Sequence, residues 1–149
     1  MDRPFEIMLI EDNVMDLRLT REALRELGLN YNLQLAYDGE QALTMLRALK
    51  TATGQARPDL VLLDLNLPLC DGREVLTVIK NDPELASIPV LVLSTSRAGN
   101  DVVDCYRLHA NSYMVKPLHF GDFVNLMRST CDYWLSKATL PTRCASLKG

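Results

Sequence analysis

Leu60-Val61-Leu62-Leu63-Asp64 decides the fold: four apolar residues in a row end on an acid. A continuous apolar run has no polar face, so it reads as a strand covered on both sides, the mark of a parallel sheet. One more stretch shares its form, and a third has a related pattern. Ile7-Met8-Leu9-Ile10 ends on Glu11-Asp12, and Ser112-Tyr113-Met114-Val115 ends on Lys116. In a parallel sheet the C-terminal ends of these strands lie side by side. Three carboxylates and one ammonium then share the edge where open α/β sheets bind ligands. Packed acids repel unless a hard cation such as Mg2+ neutralises them.

Working outward, strands are expected at 6–10, 32–36, 60–64, 90–93 and 112–115, with helical stripes between them. Leu17, Leu24 and Leu27 trace one stripe, and Ala42, Leu46 and Leu49 another. Gly28 reads as a helix stop, Asp38 and Asp71 as caps, and Pro83 as an aid to ending the third helix. Gly54 and Pro58 mark the loop before the third strand, and Pro89 opens the fourth. Five βα units with short connections predict an α/β fold, a parallel sheet between helical layers. Right-handed crossovers place helices on both faces.

The 149 residues suit one domain with a single good core, and the apolar fraction of 48% and charged fraction of 23% are ordinary for a globular chain. A formal net charge of -3 argues against a general nucleic-acid binder. No segment approaches the ~18 apolar residues that cross a bilayer, and no secretory signal precedes the first strand. A cytoplasmic location is the expectation. Cys70, Cys105, Cys131 and Cys144 lack zinc-site spacing. Cys105 and Cys131 read as small apolar helix residues. Cys70, in a loop beside Asp64, reads as the thiol more open to oxidation.

The last helix carries a wide stripe, Phe120, Phe123, Val124, Met127, Cys131, Trp134 and Leu135. Its early members read as core. Phe120, Trp134 and Leu135 are candidates for a subunit interface, the last two lying about a turn beyond the expected end of the sheet. A domain over 1–135 is expected, followed by a 136–149 extension, mobile or dimer-associated, with basic residues and no acids.

A loop acid is ordinarily solvated or caps a helix. Three acids converging at strand ends suit metal-assisted phosphoryl transfer better. Asp12, Asp64 and the Asn66 carbonyl could supply oxygens to Mg2+, with Glu11 holding a coordinated water. Asp64 could attack phosphorus, with Lys116 pairing the phosphoryl oxygens. Ser94 offers a hydroxyl, although Thr95 and Ser96 follow it and spacing does not choose among them.

Glu11-Asp12-Asn13, Leu63-Asp64-Leu65-Asn66-Leu67-Pro68 with Asp71-Gly72, Ser94-Thr95 and Lys116-Pro117 resemble, in order and spacing, the response-regulator receiver domain. The resemblance spans about residues 6–130. It implies a flavodoxin-like five-stranded parallel sheet of order 2-1-3-4-5. It implies that Asp64 accepts a phosphoryl group from a sensor histidine kinase with Mg2+ held by Asp12, Asp64 and Asn66, Glu11 assisting. Lys116 and Ser94 then contact that group, and Ser94 and Tyr113 form the switch. A cis bond before Pro117 is implied too. The protein would be a phosphoacceptor that catalyses its own phosphorylation and dephosphorylation, rather than an enzyme acting on others.

A narrower resemblance rests on the long loop Lys50–Pro58, the phrase Leu62 to Pro68, and the ending Tyr133-Trp134-Leu135 through Leu140-Pro141. It points to stand-alone regulators of cyanobacterial phytochromes, implying a phytochrome-type kinase as donor and a homodimer. No output domain is expected after residue 135, so output must act through binding. Two rivals stand against this reading. Aspartyl-phosphate phosphatases resemble D-x-D, whereas here the second position is Asn66, which cannot act as general acid or base. A phosphorylation-independent interaction module would keep Asp12, Asp64 and Lys116 only as relics.

Overall fold

The computed structural model describes residues 3–49 and 56–143. Five strands alternate with five helices: β1 (Phe5–Ile10), α1 (Val14–Leu27), β2 (Tyr31–Ala36), α2 (Gly39–Ala48), β3 (Leu60–Asp64), α3 (Gly72–Asn81), β4 (Val90–Ser94), α4 (Gly99–Arg107), β5 (Ser112–Val115) and α5 (Phe120–Asp132). All pairings are parallel, in the order β2-β1-β3-β4-β5.

The apolar runs owe their continuity to this order. β1, β3 and β4 are the inner strands, and side chains alternate between two cores. Met8, Ile10, Val61, Leu63, Val90 and Val92 face one core with residues of α2 and α3. Ile7, Leu9, Leu60, Leu62, Leu91 and Leu93 face the other, against α1 and α5. The edge strands are less buried, and β2 carries Asn32 and Gln34, which suits an edge.

Register brings the strand ends level. Ile10 pairs with Leu63, so Glu11 emerges beside Asp64, and Ser94 pairs with Val115, so Lys116 follows just beyond. The helix starts are set by short polar side chains. Asn13 accepts from the Asp16 N–H at 3.0 Å, Asp38 from Gln41 at 2.7 Å, and Asp71 from Arg73 at 2.8 Å. Gly28 ends α1 at φ 67°.

The C-terminal segment departs from expectation. After α5 a π-helical turn, Tyr133–Lys137, carries the chain back over the α1–α5 face. Leu135 is buried there with Leu140, so it belongs to the intramolecular core and is not a subunit contact. Trp134 is half-buried against the same core, its ring edge-on to Tyr133, while Phe120 remains exposed. Residues 136–143, expected to be mobile or partner-ordered, are fastened to the domain. Arg143 donates to the Pro4 carbonyl at 2.7 Å and to Asp59 at 3.1 Å, and its guanidinium lies 4.2 Å from the Phe5 ring centroid. Thr142 also donates to Asp59, which is fully buried. Cys144, the rest of the tail and residues 50–55 of the long loop lie outside the described residues.

Cys70 is a second correction. Its side chain is buried because Gly39, at the start of α2, has no Cβ; one would sit 2.3 Å from the Cys70 carbonyl oxygen. Burial, then the hydrogen bond to Glu74 and its charge, push the thiol up to about 11, so it does not act as an oxidation-prone thiolate. Cys105 and Cys131 are buried as expected.

Candidate functional site

β1 delivers Asp12, β3 delivers Asp64, and β5 delivers Lys116 to one cavity of about 550 Å³, with Glu11 buried beside them. Asp12, Asp64, Asn66, Thr95 and Lys116 line it, with Asn13 to Asp16 along one wall. Oxygens of Glu11, Asp12 and Asp64 all fall within 4.8 Å of one another. Glu11 and Asp64 are buried, whereas Asp12 is exposed.

Lys116 holds this cluster together. Its Nζ lies 2.9 Å from Glu11, 2.8 Å from Asp16 and 3.3 Å from Asp64. Burial works to lower its pKa, but the hydrogen bond it donates to Asp16 and the charges of Glu11 and Asp64 outweigh it and hold the ammonium above its ordinary range. Glu11 moves the other way. Burial, then the hydrogen bond and charge of Asp64, raise its carboxyl to about 8 against the pull of Lys116. One ammonium does not balance the packed acids.

Backbone donors fix the acids further. The Asn66 N–H donates to Asp64 Oδ1 at 3.1 Å, and the Asn13 N–H donates to Glu11 Oε2 at 3.1 Å. Gly72, opening α3, lies against the backbone of the phosphoacceptor candidate. A Cβ there would come within 2.7 Å of the Asp64 carbonyl oxygen and 2.8 Å of Leu65 Cα. These are backbone atoms with little room to yield. Gly72→Ala is therefore expected to lower the urea-unfolding free energy by about 1–3 kcal/mol. Gly121→Ala is the control, since nothing lies within 4 Å of a Cβ there.

The donor set fits a hard divalent cation: it is all oxygen, clustered, short of positive charge and free of the histidine and cysteine that softer metals prefer. Glu11, Asp12 and Asp64 would hold the ion, with the Asn66 carbonyl at hand.

The other expected site residues are placed as follows. Ser94 is fully buried at the end of β4, where its Oγ accepts from the Ser96 N–H at 3.1 Å, and Thr95 rather than Ser94 lines the cavity. The half-buried Tyr113 donates its hydroxyl to the Ser96 carbonyl at 3.0 Å. Phe120 and Trp134 do not line the cavity. The bond before Pro117 is trans, correcting the cis expectation. Trans is the form favoured by about 0.5–1 kcal/mol even before proline, and Lys116 reaches Glu11, Asp16 and Asp64 from it. Asp16 is the residue that sequence reasoning missed. Its only signal was a carboxylate one helical turn after Asp12.

The sequence matches the response regulator receiver domain over residues 7–128. It is 41% identical over 138 residues to the response regulator Rcp1 of Synechocystis sp., covering 93% of this chain and 94% of that protein. The Mn(2+)-bound form of Rcp1 superposes with a TM-score of 0.87 at 40% identity, covering 93% of this chain and 99% of that one. The phosphorylated cyanobacterial phytochrome response regulator RcpA gives a TM-score of 0.88 at 43% identity, with the same coverage. No described helix is long and apolar enough to cross a membrane. The fold is thus shared with relatives along nearly their whole length, and the chain belongs to the response regulator receiver domain family.

Proposed function

We propose that this receiver, in the cytoplasm, accepts a phosphoryl group on Asp64 from the phosphohistidine of a sensor histidine kinase. The observation that carries the reading is the convergence of Glu11, Asp12 and Asp64 within 4.8 Å, with Lys116 Nζ 3.3 Å from Asp64. An Asp64 carboxylate oxygen forms the new bond to phosphorus as the phosphorus–nitrogen bond to imidazole breaks. The imidazole leaves with the electron pair and takes up a proton. Lys116 is free to turn from Asp64 toward the transferred oxygens while keeping Asp16 and Glu11. Bound Mg2+, held by Asp12, Asp64 and the Asn66 carbonyl with Glu11 assisting, would neutralise charge on those oxygens. A Mn(2+)-bound form of Rcp1 supports a divalent ion as the cofactor.

Ser94 and Tyr113 are the switch in this reading. The Ser94 hydroxyl turns toward the phosphoryl group, and Tyr113 responds at the surface formed by α4, β5 and α5. That surface carries exposed Val103, Tyr106 and Phe120 and is the proposed homodimer face, with Trp134 at its margin. Likeness to Rcp1 and to the phytochrome regulator RcpA supports a phytochrome-type kinase as donor.

Phosphotransfer from candidate sensor kinases is the direct test, a light-sensing phytochrome kinase being tried first. Transfer of label to the wild type is expected, and no transfer from any kinase or from acetyl phosphate refutes the proposal. Metal binding gives an independent check. An ion at a hundred times its dissociation constant stabilises the fold by about 2.7 kcal/mol. At about 2–4 °C per kcal/mol for a chain of this size, saturating Mg2+ is expected to raise the melting temperature by roughly 5–10 °C. The rise should shrink in Asp12→Ala.

A further inference from the structure

Ser96 has every polar atom engaged, and its partners come from three different elements. Its N–H donates to Ser94 Oγ at 3.1 Å and its carbonyl accepts the Tyr113 hydroxyl at 3.0 Å. Its own hydroxyl donates to Asp101 and accepts from the Ala98 N–H at 3.2 Å. Asp101 stands in the first turn of α4, and its second carboxylate oxygen is paired with Arg73, the second residue of α3.

Two features of α4 give this pairing weight. The helix begins at Ala98, which offers no side-chain cap to its free N–H groups, and Cys105 is the one residue it buries. A helix end without a cap frays, and a helix with so little buried surface is held by few contacts. The Arg73–Asp101 pair therefore supplies a large share of what fixes the start of α4. Arg73 itself is firmly placed. α3 buries Val75, Leu76 and Ile79, and its first residue, Gly72, lies against the Asp64 backbone.

We infer that Arg73 is a positioning residue for the switch: through Asp101 and Ser96 it latches α4 to α3 and favours the inward position of Tyr113, the one in which its hydroxyl is bonded to the Ser96 carbonyl. The inference rests on the switch reading of Ser94 and Tyr113 given above. It adds a tether that touches neither phosphate nor metal. The latch biases the balance between two loop positions, and any ligand that prefers the inward position binds more tightly while the latch holds. A lysine at 73 keeps the charge but loses the planar fork, so it restores only part of the effect.

The experiment uses the full chain labelled with 3-fluorotyrosine, the Tyr113 signal being assigned from Tyr113→Phe. Beryllofluoride with Mg2+ is titrated into wild type, Arg73→Ala, Arg73→Lys, Asp101→Asn and the double variant Arg73→Ala/Asp101→Asn. In Arg73→Ala the Tyr113 resonance is expected to shift toward the outward position, with beryllofluoride bound about five- to tenfold more weakly. Arg73→Lys should fall between that and wild type. The double variant should lose little more than either single one, because both remove the same pair. A merely structural role for Arg73 would lower the urea midpoint but leave the Tyr113 resonance of the folded protein where it is, which overturns the latch. So does an unchanged resonance and affinity in both Arg73→Ala and Asp101→Asn beside a responsive wild type. A wild type that itself gives no response takes away the switch reading, and the latch with it.

Discussion

Asp64→Asn protein is expected to gain no phosphoryl group from acetyl phosphate and Mg2+, its intact mass staying unchanged while the wild type gains one. An amide keeps the shape of the carboxylate and can still accept the Asn66 N–H that Asp64 Oδ1 receives at 3.1 Å. It has no anionic oxygen to offer phosphorus, so the covalent route closes entirely. The fold should survive. Lys116 keeps Glu11 and Asp16 at 2.9 and 2.8 Å, and one of the mutually repelling acids is gone. Glu11, held up at about 8 by burial and then by Asp64, should titrate lower in the variant. Wild-type labelling of Asp64→Asn would move the acceptor to another carboxylate and refute the assignment.

Asp59→Ala is expected to cost about 3–5 kcal/mol of unfolding free energy, the toll of leaving buried partners uncompensated. Total stabilities of 5–15 kcal/mol make this a large fraction. Asp59 is fully buried and accepts from the Glu6 N–H at 2.8 Å, from Arg143 at 3.1 Å and from Thr142, with Arg3 at 3.6 Å. Burial alone would raise its carboxyl, but the Glu6 N–H and the hydrogen bonds from Thr142 and Arg143 outweigh burial and hold it below the ordinary 3.8. A depressed acid contributes stability that is fully present above its unfolded pKa and fades as pH falls through the folded one. Urea midpoints measured downward from pH 5 should therefore separate wild type from Asp59→Ala above that window and bring them together as Asp59 protonates. Equal midpoints at pH 7 would refute the clasp.

Much of this architecture is written plainly in the chain, because the inner strands, covered on both faces, leave unbroken apolar runs, two of which end on acids. Short length and bounding polar residues, rather than periodicity, separate such runs from a buried helix. Asp16 escaped notice because an acid in the first turn of a helix is the ordinary preference of a helix N-terminus, and nothing local says that a lysine 100 residues later reaches it. Leu135 was misplaced for a related reason. Counting turns of α5 against strand length leaves it overhanging, but the chain returns through the π-helical turn and covers it with Leu140. Cys70 reads as a loop thiol until the missing Cβ of Gly39 lets α2 close over it. For Asp16 and Cys70 the decisive contact is distant in sequence. The pairing of Arg73 with Asp101 is of the same kind, two surface charges 28 residues apart.

Arg143 also donates to the carbonyls of Arg3 and Pro4, so the first and last described residues leave the molecule together. They do so at the N-terminal rim of the strands, roughly 16 Å from the acid cavity along the five residues of β3. A fluorescent donor and acceptor placed beside Pro4 and Arg143 would start as near neighbours, at the pole opposite the acid cavity. Their energy transfer would then report unfastening of the tail separately from chemistry at the opposite pole.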